Sequence, residues 1–209
     1  MKHKIALFDI DKTIISNDSM FSFLWYGIKK KPWMLVILFP VIFFTIVYKL
    51  NLIKEEKVKE YYFFAIKFLG EDDLRDFYKS MLENKIYNSA LQELQSKKKQ
   101  DYYVLLVSAS PYSYIKFFKS IPYVDGVIGT ELVFKNGRYI NKIKGKNCKG
   151  DEKVRRIKEY LCKLNLEIDF NNSCAYSDSL SDLPMLQLVK NKYLINKKNK
   201  LGIEVLFWK

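Results

Sequence analysis

The chain has one histidine in 209 residues, and it stands at position 3. A lone imidazole beside the terminus excludes a Ser-His-Asp triad, a histidine metal cage and most imidazole acid–base schemes, so catalysis falls to carboxylates, hydroxyls and lysines. Cysteine is nearly as scarce. Cys148, Cys162 and Cys174 make neither a CxxC pair nor an even set, which suits a reducing compartment rather than a disulfide framework. Internal repeats and Gly/Ser-rich linkers are absent. Acidic residues are the minority, 23 against 36 Lys and Arg, for a formal charge of +13. Such a field attracts phosphorylated metabolites, anionic lipid headgroups and nucleic acid alike. The basic residues fall in short clusters, Lys29–Lys31, Lys97–Lys99 and Lys197–Lys200, not in an aromatic-interleaved stripe, so no specific nucleic-acid partner is expected. Asp9 and Asp11 interrupt the first apolar run too early for a secretory signal, and a cytoplasmic location is expected.

What is present is a periodic pattern. Ile5 to Phe8 is a short apolar run ending in acidic residues, the pattern of a buried parallel strand that delivers side chains at its carboxyl end. Tyr103 to Val107 is a second, followed by Ser108-Ala109-Ser110-Pro111; further runs are Val124 to Ile128, Cys174 to Tyr176 and Lys192 to Ile195. Helical patterns lie between them, at Pro111 to Ser120, Gly150 to Leu164 and Ser179 to Leu188. Alternation of strand and helix predicts an α/β fold, a doubly wound parallel sheet. Such sheets bind ligands at the carboxyl ends of their strands, where Asp9, Asp11, Ser108 and Asp178 would converge. The Asn136-Gly137 pair between apolar residues predicts an antiparallel hairpin beside the sheet.

Residues 15–90 break this alternation and look all-helical, at Met20 to Lys29, Trp33 to Leu50, Glu55 to Phe68 and Asp72 to Lys98. The expected organisation is a core of residues 1–14 and 91–209 with a helical cap of residues 15–90 over the crevice.

Four segments carry chemistry. The first is Phe8-Asp9-Ile10-Asp11-Lys12-Thr13 at the end of the first strand. The second is Val107-Ser108-Ala109-Ser110-Pro111, the third Cys148-Lys149-Gly150-Asp151-Glu152-Lys153, and the fourth Tyr176-Ser177-Asp178-Ser179-Leu180-Ser181-Asp182. In this order and on these elements they resemble the haloacid dehalogenase superfamily of hydrolases, over almost the whole chain except the last dozen residues. Insertion of helices between the first two motifs resembles the subfamily that contains phosphoserine phosphatase. The stretch from Met20 to Gly70, with C-x-G-x-x-K and YSDSxxDxP, is similar to its phosphatidylglycerophosphatase-type members.

The resemblance implies a phosphatase with Asp9 as nucleophile and Asp11 as general acid, then base. It implies Mg²⁺ held by Asp9, the Asp11 backbone carbonyl and Asp178, with Asp182 and Ser179 in support. Thr13, Ser108, the Ala109 N–H and a lysine would cradle the phosphoryl group. The C-x-G-x-x-K spacing implies that this lysine is Lys153, the preferred reading, and a K-G spacing implies Lys149. Asp18 stands where phosphoserine phosphatase carries a Glu for the substrate amine. The shorter side chain and the more apolar cap speak against phosphoserine.

Trp33 to Tyr48 is an uncharged stretch of 16 residues, short of the roughly 20 that span a bilayer, and Pro40 interrupts it. A single crossing would part Asp9 from Ser108 and Asp178, which must meet. The stretch therefore reads either as a helix buried in the cap or, with its lysine flanks, as an interfacial hairpin docking on anionic lipid at the inner face of the membrane. The expected substrate is a phosphate monoester, with a lipid phosphate as leading class and a soluble phosphoserine-like metabolite as alternative. A phosphoacceptor signalling domain does not fit the DxD pair and cap, and a catalytically silent membrane adaptor is the remaining non-enzymatic reading.

Overall fold

Each short apolar run forms a buried strand. The computed structural model describes residues 2–197 and 202–209, and residues 198–200 of the last basic cluster lie outside the described residues. In chain order the strands are β1 (Lys2–His3), β2 (Ile5–Phe8), β3 (Tyr103–Pro111), β4 (Gly126–Thr130), β5 (Leu132–Lys135), β6 (Arg138–Ile143), β7 (Glu167–Ile168), β8 (Cys174–Ser177), β9 (Asn191–Ile195) and β10 (Glu204–Leu206). The α-helices are α1 (Ser19–Lys30), α2 (Leu38–Lys49), α3 (Glu55–Tyr62), α4 (Glu71–Phe77), α5 (Asn88–Lys99), α6 (Tyr112–Ile115), α7 (Asp151–Lys163) and α8 (Leu183–Leu186). Six strands make one sheet in the order β10-β9-β8-β2-β3-β4, every pairing parallel.

The period of two divides β2 and its neighbours between two cores. Ile5, Leu7, Leu105, Val107 and Ala175 pack with Ile157 and Leu161 of α7. Ala6, Phe8, Val104, Leu106 and Tyr176 pack on the opposite side, with Leu94 of α5 and Tyr114 of α6. Helices thus cover both faces, and this is the doubly wound α/β fold expected. The hairpin also forms, with Asn136 at φ 52° and Gly137 at φ 75°, both left-handed as a tight two-residue turn requires.

Several boundaries differ from expectation. β3 runs past Val107 to Pro111, because Pro111 still pairs with Thr130 after a register shift. The helices expected after β3 and β8 shrink to α6 and α8, each joined to a 3₁₀ turn. β10 was not expected. It extends the sheet beside β9 and brings Trp208 to within 6.4 Å of the Phe8 ring and 5.8 Å of the Tyr176 ring.

Helices α1 to α5 fill the interval between β2 and β3. Asp18 caps α1, its Oδ1 accepting from the Met20 and Phe21 N–H groups. Gly27 lets α1 approach the 3₁₀ turn Phe64–Phe68 closely, since a Cβ there would lie 2.4 Å from the Ala65 Cβ. The helix expected over Asp72 to Lys98 is broken. Ser16 donates to the Lys85 carbonyl and Tyr87 to the Ile14 carbonyl, so the outgoing and returning chains are tied at the neck of the insertion.

Pro32–Lys49, a 3₁₀ turn running into α2, is long and apolar enough to cross a membrane by length and composition, and 17% of it is buried. Val41 is the one buried residue of α2, so the reading as a buried cap helix does not describe this segment. It does not cross a membrane once, because β2 before it is hydrogen-bonded to β3 and β8 after it.

Candidate active site

The first motif begins where β2 ends. Asp9 donates its N–H to the Tyr176 carbonyl at 3.0 Å, the last sheet contact, and the chain then turns sharply through Lys12 at φ 58°. The turn separates the two aspartates. Asp9 is buried, its Oδ1 accepting from Lys153 Nζ at 2.6 Å and its Oδ2 from Thr13 Oγ1 at 3.3 Å. Asp11 points elsewhere: its Oδ1 accepts the Ser19 N–H at 2.7 Å, and its Oδ2 accepts the Ser108 and Ser110 hydroxyls at 2.9 and 2.8 Å. Burial pushes the Asp9 carboxyl above the usual carboxylate range; Lys153 opposes the rise, and Asp182 and Asp11 add to it.

Lys153 comes from the first turn of α7. Gly150, at φ 55°, starts this helix in a left-handed conformation that suits glycine. The Lys153 ammonium is almost fully buried between Asp9 and Asp182 Oδ2, the latter at 2.7 Å. Burial works against its charge, yet the two carboxylates hold it above the ordinary lysine range. Lys149 lies apart from Asp9 and pairs with Glu55 of α3 at 2.7 Å. Of the two lysines, the geometry brings Lys153 to Asp9.

The fourth motif closes the other side. Thr13 Oγ1 accepts the Asp178 N–H at 2.9 Å, joining the ends of β2 and β8. Asp182 Oδ2 also accepts the Ser177 hydroxyl at 2.8 Å. Ser179 bonds the Ser181 N–H through its hydroxyl. Burial raises Asp178, and Lys197, 3.7 Å away, opposes the rise.

Thr13 and Ser108, the two hydroxyls expected at the phosphate, face neighbouring carboxylates and backbone N–H groups in this structure. Thr13 and Ser108 are fully buried, and their hydroxyls are committed to Asp9, Asp178, Asp11 and the Ser110 N–H. Ala109 and Ser110 line the open space beside them. Asp18 borders it too, though one of its oxygens is spent on capping α1.

That space is a pocket of about 270 Å³ lined by Asp9, Asp11, Asp178, Asp182 and Lys153 from the core and by Met20, Glu55, Lys59 and Phe63 from the insertion. The sequence did not single out Lys59. It is buried, and its ammonium donates to Asn147 Oδ1 at 3.1 Å and to the Ala109 carbonyl at 3.4 Å, with Glu55 at 3.3 Å. Burial pulls it below the ordinary lysine range against the pull of Glu55. Its one sequence signal is its position beside Val58 and Tyr62 of α3 and the following Phe63, an apolar stripe.

The lining suits magnesium. Six carboxylates (Asp9, Asp11, Asp18, Glu55, Asp178, Asp182) face four ammonium groups (Lys12, Lys59, Lys149, Lys153), a formal charge of −2 that a divalent cation cancels. Among the described residues no group of three or more His, Cys, Asp or Glu side chains forms a metal cage. Magnesium keeps several waters and needs only one or two carboxylates plus substrate oxygens, a demand this oxygen-only donor set meets.

A parallel sheet that gathers carboxylates and hydroxyls at its strand ends, with a buried lysine reaching them from α7, is the arrangement of an α/β hydrolase. The chain belongs to the haloacid dehalogenase-like hydrolase family, whose model matches residues 6–187. It is 26% identical over 133 residues to phosphoserine phosphatase SerB1 of Mycobacterium tuberculosis, a match covering 64% of this chain and 41% of that protein. The chain thus matches about two-fifths of the length of this relative. Among solved structures, a Bordetella pertussis Tohama I protein of unknown function superposes with TM-score 0.86 at 20% identity over 99% of both chains. A substrate-bound phosphoserine phosphatase superposes with TM-score 0.70 at 17% identity over 98% of this chain and 93% of that one. At these identities the structural likeness is one of fold.

Proposed function

We propose that the protein is a magnesium-dependent phosphate monoester hydrolase that works through a phospho-aspartyl intermediate on Asp9. The observation that carries this reading is the Asp9 carboxylate clasped between Lys153 and Thr13 at the wall of a pocket that Asp11 and Asp178 share. Asp9 attacks phosphorus and the ester P–O bond breaks as Asp11 delivers a proton to the leaving oxygen. The Asp11 carboxylate then takes a proton from water, whose oxygen displaces Asp9 and releases phosphate. Asp9, Asp178 and the Asp11 carbonyl would hold magnesium, which supplies charge neutralisation between carboxylate and phosphate. Lys153, kept charged by Asp9 and Asp182, meets the equatorial phosphoryl oxygens. Residues 15–90 act as a cap on the core of residues 1–14 and 91–209, with Lys59 and Phe63 facing the substrate.

The substrate we favour is a lipid phosphate met at the inner face of the membrane, as in the phosphatidylglycerophosphatase-type members of the phosphoserine-phosphatase subfamily. The exposed apolar segment Pro32–Lys49 supports it. A soluble phosphoserine-like ester is the alternative, supported by the relatives; the capping bond of Asp18, which occupies one carboxylate oxygen, weighs against amine recognition. The test is phosphate release under Mg²⁺ from phosphoserine and from dispersed phosphatidylglycerol phosphate, using wild type and Asp9→Asn. Loss of about 10⁴-fold or more in turnover in the variant is expected, and substantial residual turnover would overturn the nucleophile. Silence of the wild type on both esters would favour the adaptor reading.

A further inference from the structure

Among the described residues, exposed apolar side chains concentrate on one stretch. Trp33, Val36, Phe39, Ile42, Phe43 and Ile46 are each more than half exposed, Phe39 at 86%. From Val36 to Ile46 they recur every three or four residues, one face of a helix. The opposite face is already satisfied: Val41 is buried, Thr45 Oγ1 lies 3.3 Å from the Tyr62 hydroxyl, and Phe44 stacks on Tyr61 at 4.3 Å. The segment thus packs one apolar face on α3 and turns a second apolar face to solvent, where an ordinary surface helix is polar.

Charge indicates what covers this face. Between Asp18 and Glu55 the chain has five lysines (Lys29, Lys30, Lys31, Lys49, Lys54) and no acidic residue. Lys30 is paired with Asp73 of α4, while Lys29, Lys49 and Lys54 stand exposed at the ends of the apolar run. Trp25 and Trp33, both about half exposed, supply indoles of the kind that settle at headgroup depth. A twofold contact between two copies would bring the lysine rim close to itself with no carboxylate in the segment to relieve it. Apolar centre, cationic rim and indoles together match an anionic bilayer surface.

We propose that the exposed face of Pro32–Lys49 docks the protein on anionic lipid bilayers, with the segment lying in the interfacial plane rather than crossing it. The docking is a property of the surface and holds whichever ester the pocket cleaves.

The test is sedimentation of the full chain with phosphatidylcholine vesicles with and without phosphatidylglycerol, read together with tryptophan emission. Co-sedimentation with the acidic vesicles and a blue shift are expected, from Trp25 and Trp33 because Trp208 is already buried. Lys29→Gln and Lys49→Gln each weaken partitioning about fivefold. Phe39→Glu with Ile42→Glu abolishes it, and melting temperature and soluble-ester hydrolysis stay at wild-type levels because both side chains project into solvent. Asp9→Asn binds vesicles like wild type, so loss of catalysis and loss of docking are read separately. The proposal is overturned by no sedimentation with acidic vesicles, by binding that survives the double glutamate variant, or by a dimer that this variant dissolves in a protein that ignores vesicles.

Discussion

Lys153 bridges two carboxylates from opposite ends of the sequence, its Nζ 2.6 Å from Asp9 Oδ1 and 2.7 Å from Asp182 Oδ2 with 2% of the side chain exposed. Removing the cation leaves two buried, like-charged groups unpaired. Lys153→Met is therefore expected to cost about 3–5 kcal/mol of stability in addition to turnover, as measured by urea unfolding. Lys153→Met with Asp182→Leu should recover part of the stability and none of the activity.

Metal removal is expected to lower stability and stop catalysis together. With Asp9 and Asp178 on the same pocket wall, saturating Mg²⁺ is expected to raise the unfolding free energy by about 2.7 kcal/mol at a concentration 100 times Kd. EDTA should reverse the gain and stop phosphate release. In Asp178→Asn the Mg²⁺-dependent rise in melting temperature should disappear while the metal-free melting temperature stays within a few degrees of wild type. A rise of wild-type size in the variant would remove Asp178 from the metal site.

Lys59 tests the contribution of the insertion to substrate binding. Its ammonium lies in the pocket yet touches neither Asp9 nor Lys153, and Glu55 keeps Lys149 as a partner when Lys59 is lost. Lys59→Met is expected to raise KM about tenfold for esters carrying a second anionic group, corresponding to about 1.4 kcal/mol, with kcat changing much less. An equal loss in kcat would instead place Lys59 in the chemical step.

Acid stability follows from Glu152 on α7. Arg155 and Arg156 donate to its two oxygens, Arg156 Nε at 2.9 Å, and with the Arg155 hydrogen bond leading they hold the carboxyl down at about 2 from an ordinary 4.5. A depressed carboxyl contributes stability that is present above about pH 4.5 and lost as pH falls through 2. Because Arg155 is half exposed, Glu152→Gln should cost about 1 kcal/mol at pH 7 and nothing near pH 2. Urea midpoints across that range would show the two curves converging, and a constant gap would reject the assignment.

Much of the site was legible because it sits at strand ends. Asp9, Asp178 and Ser108 follow apolar runs whose alternation and length mark parallel strands, and such sheets collect ligands at one edge. The surroundings of Thr13 and Ser108 were less legible, since a hydroxyl at a strand end can face either a ligand or a carboxylate brought beside it by the fold. Here each is committed to carboxylates and backbone N–H groups. Pro111 was expected to open a helix and instead ends β3, because it still pairs with Thr130. β10 escaped notice because it is only three residues long.

The sequence by itself determined the α/β sheet, the order of the four motifs and the long uncharged run, because these depend on local periodicity and on residue identity at strand ends. Only the tertiary structure decided that Lys153 rather than Lys149 meets Asp9, that Lys59 enters the pocket, and that the apolar run turns outward. Each of those outcomes depends on the rotation and translation of a helix against the sheet. That placement follows from packing between segments distant in the chain, and local sequence carries no direct record of it.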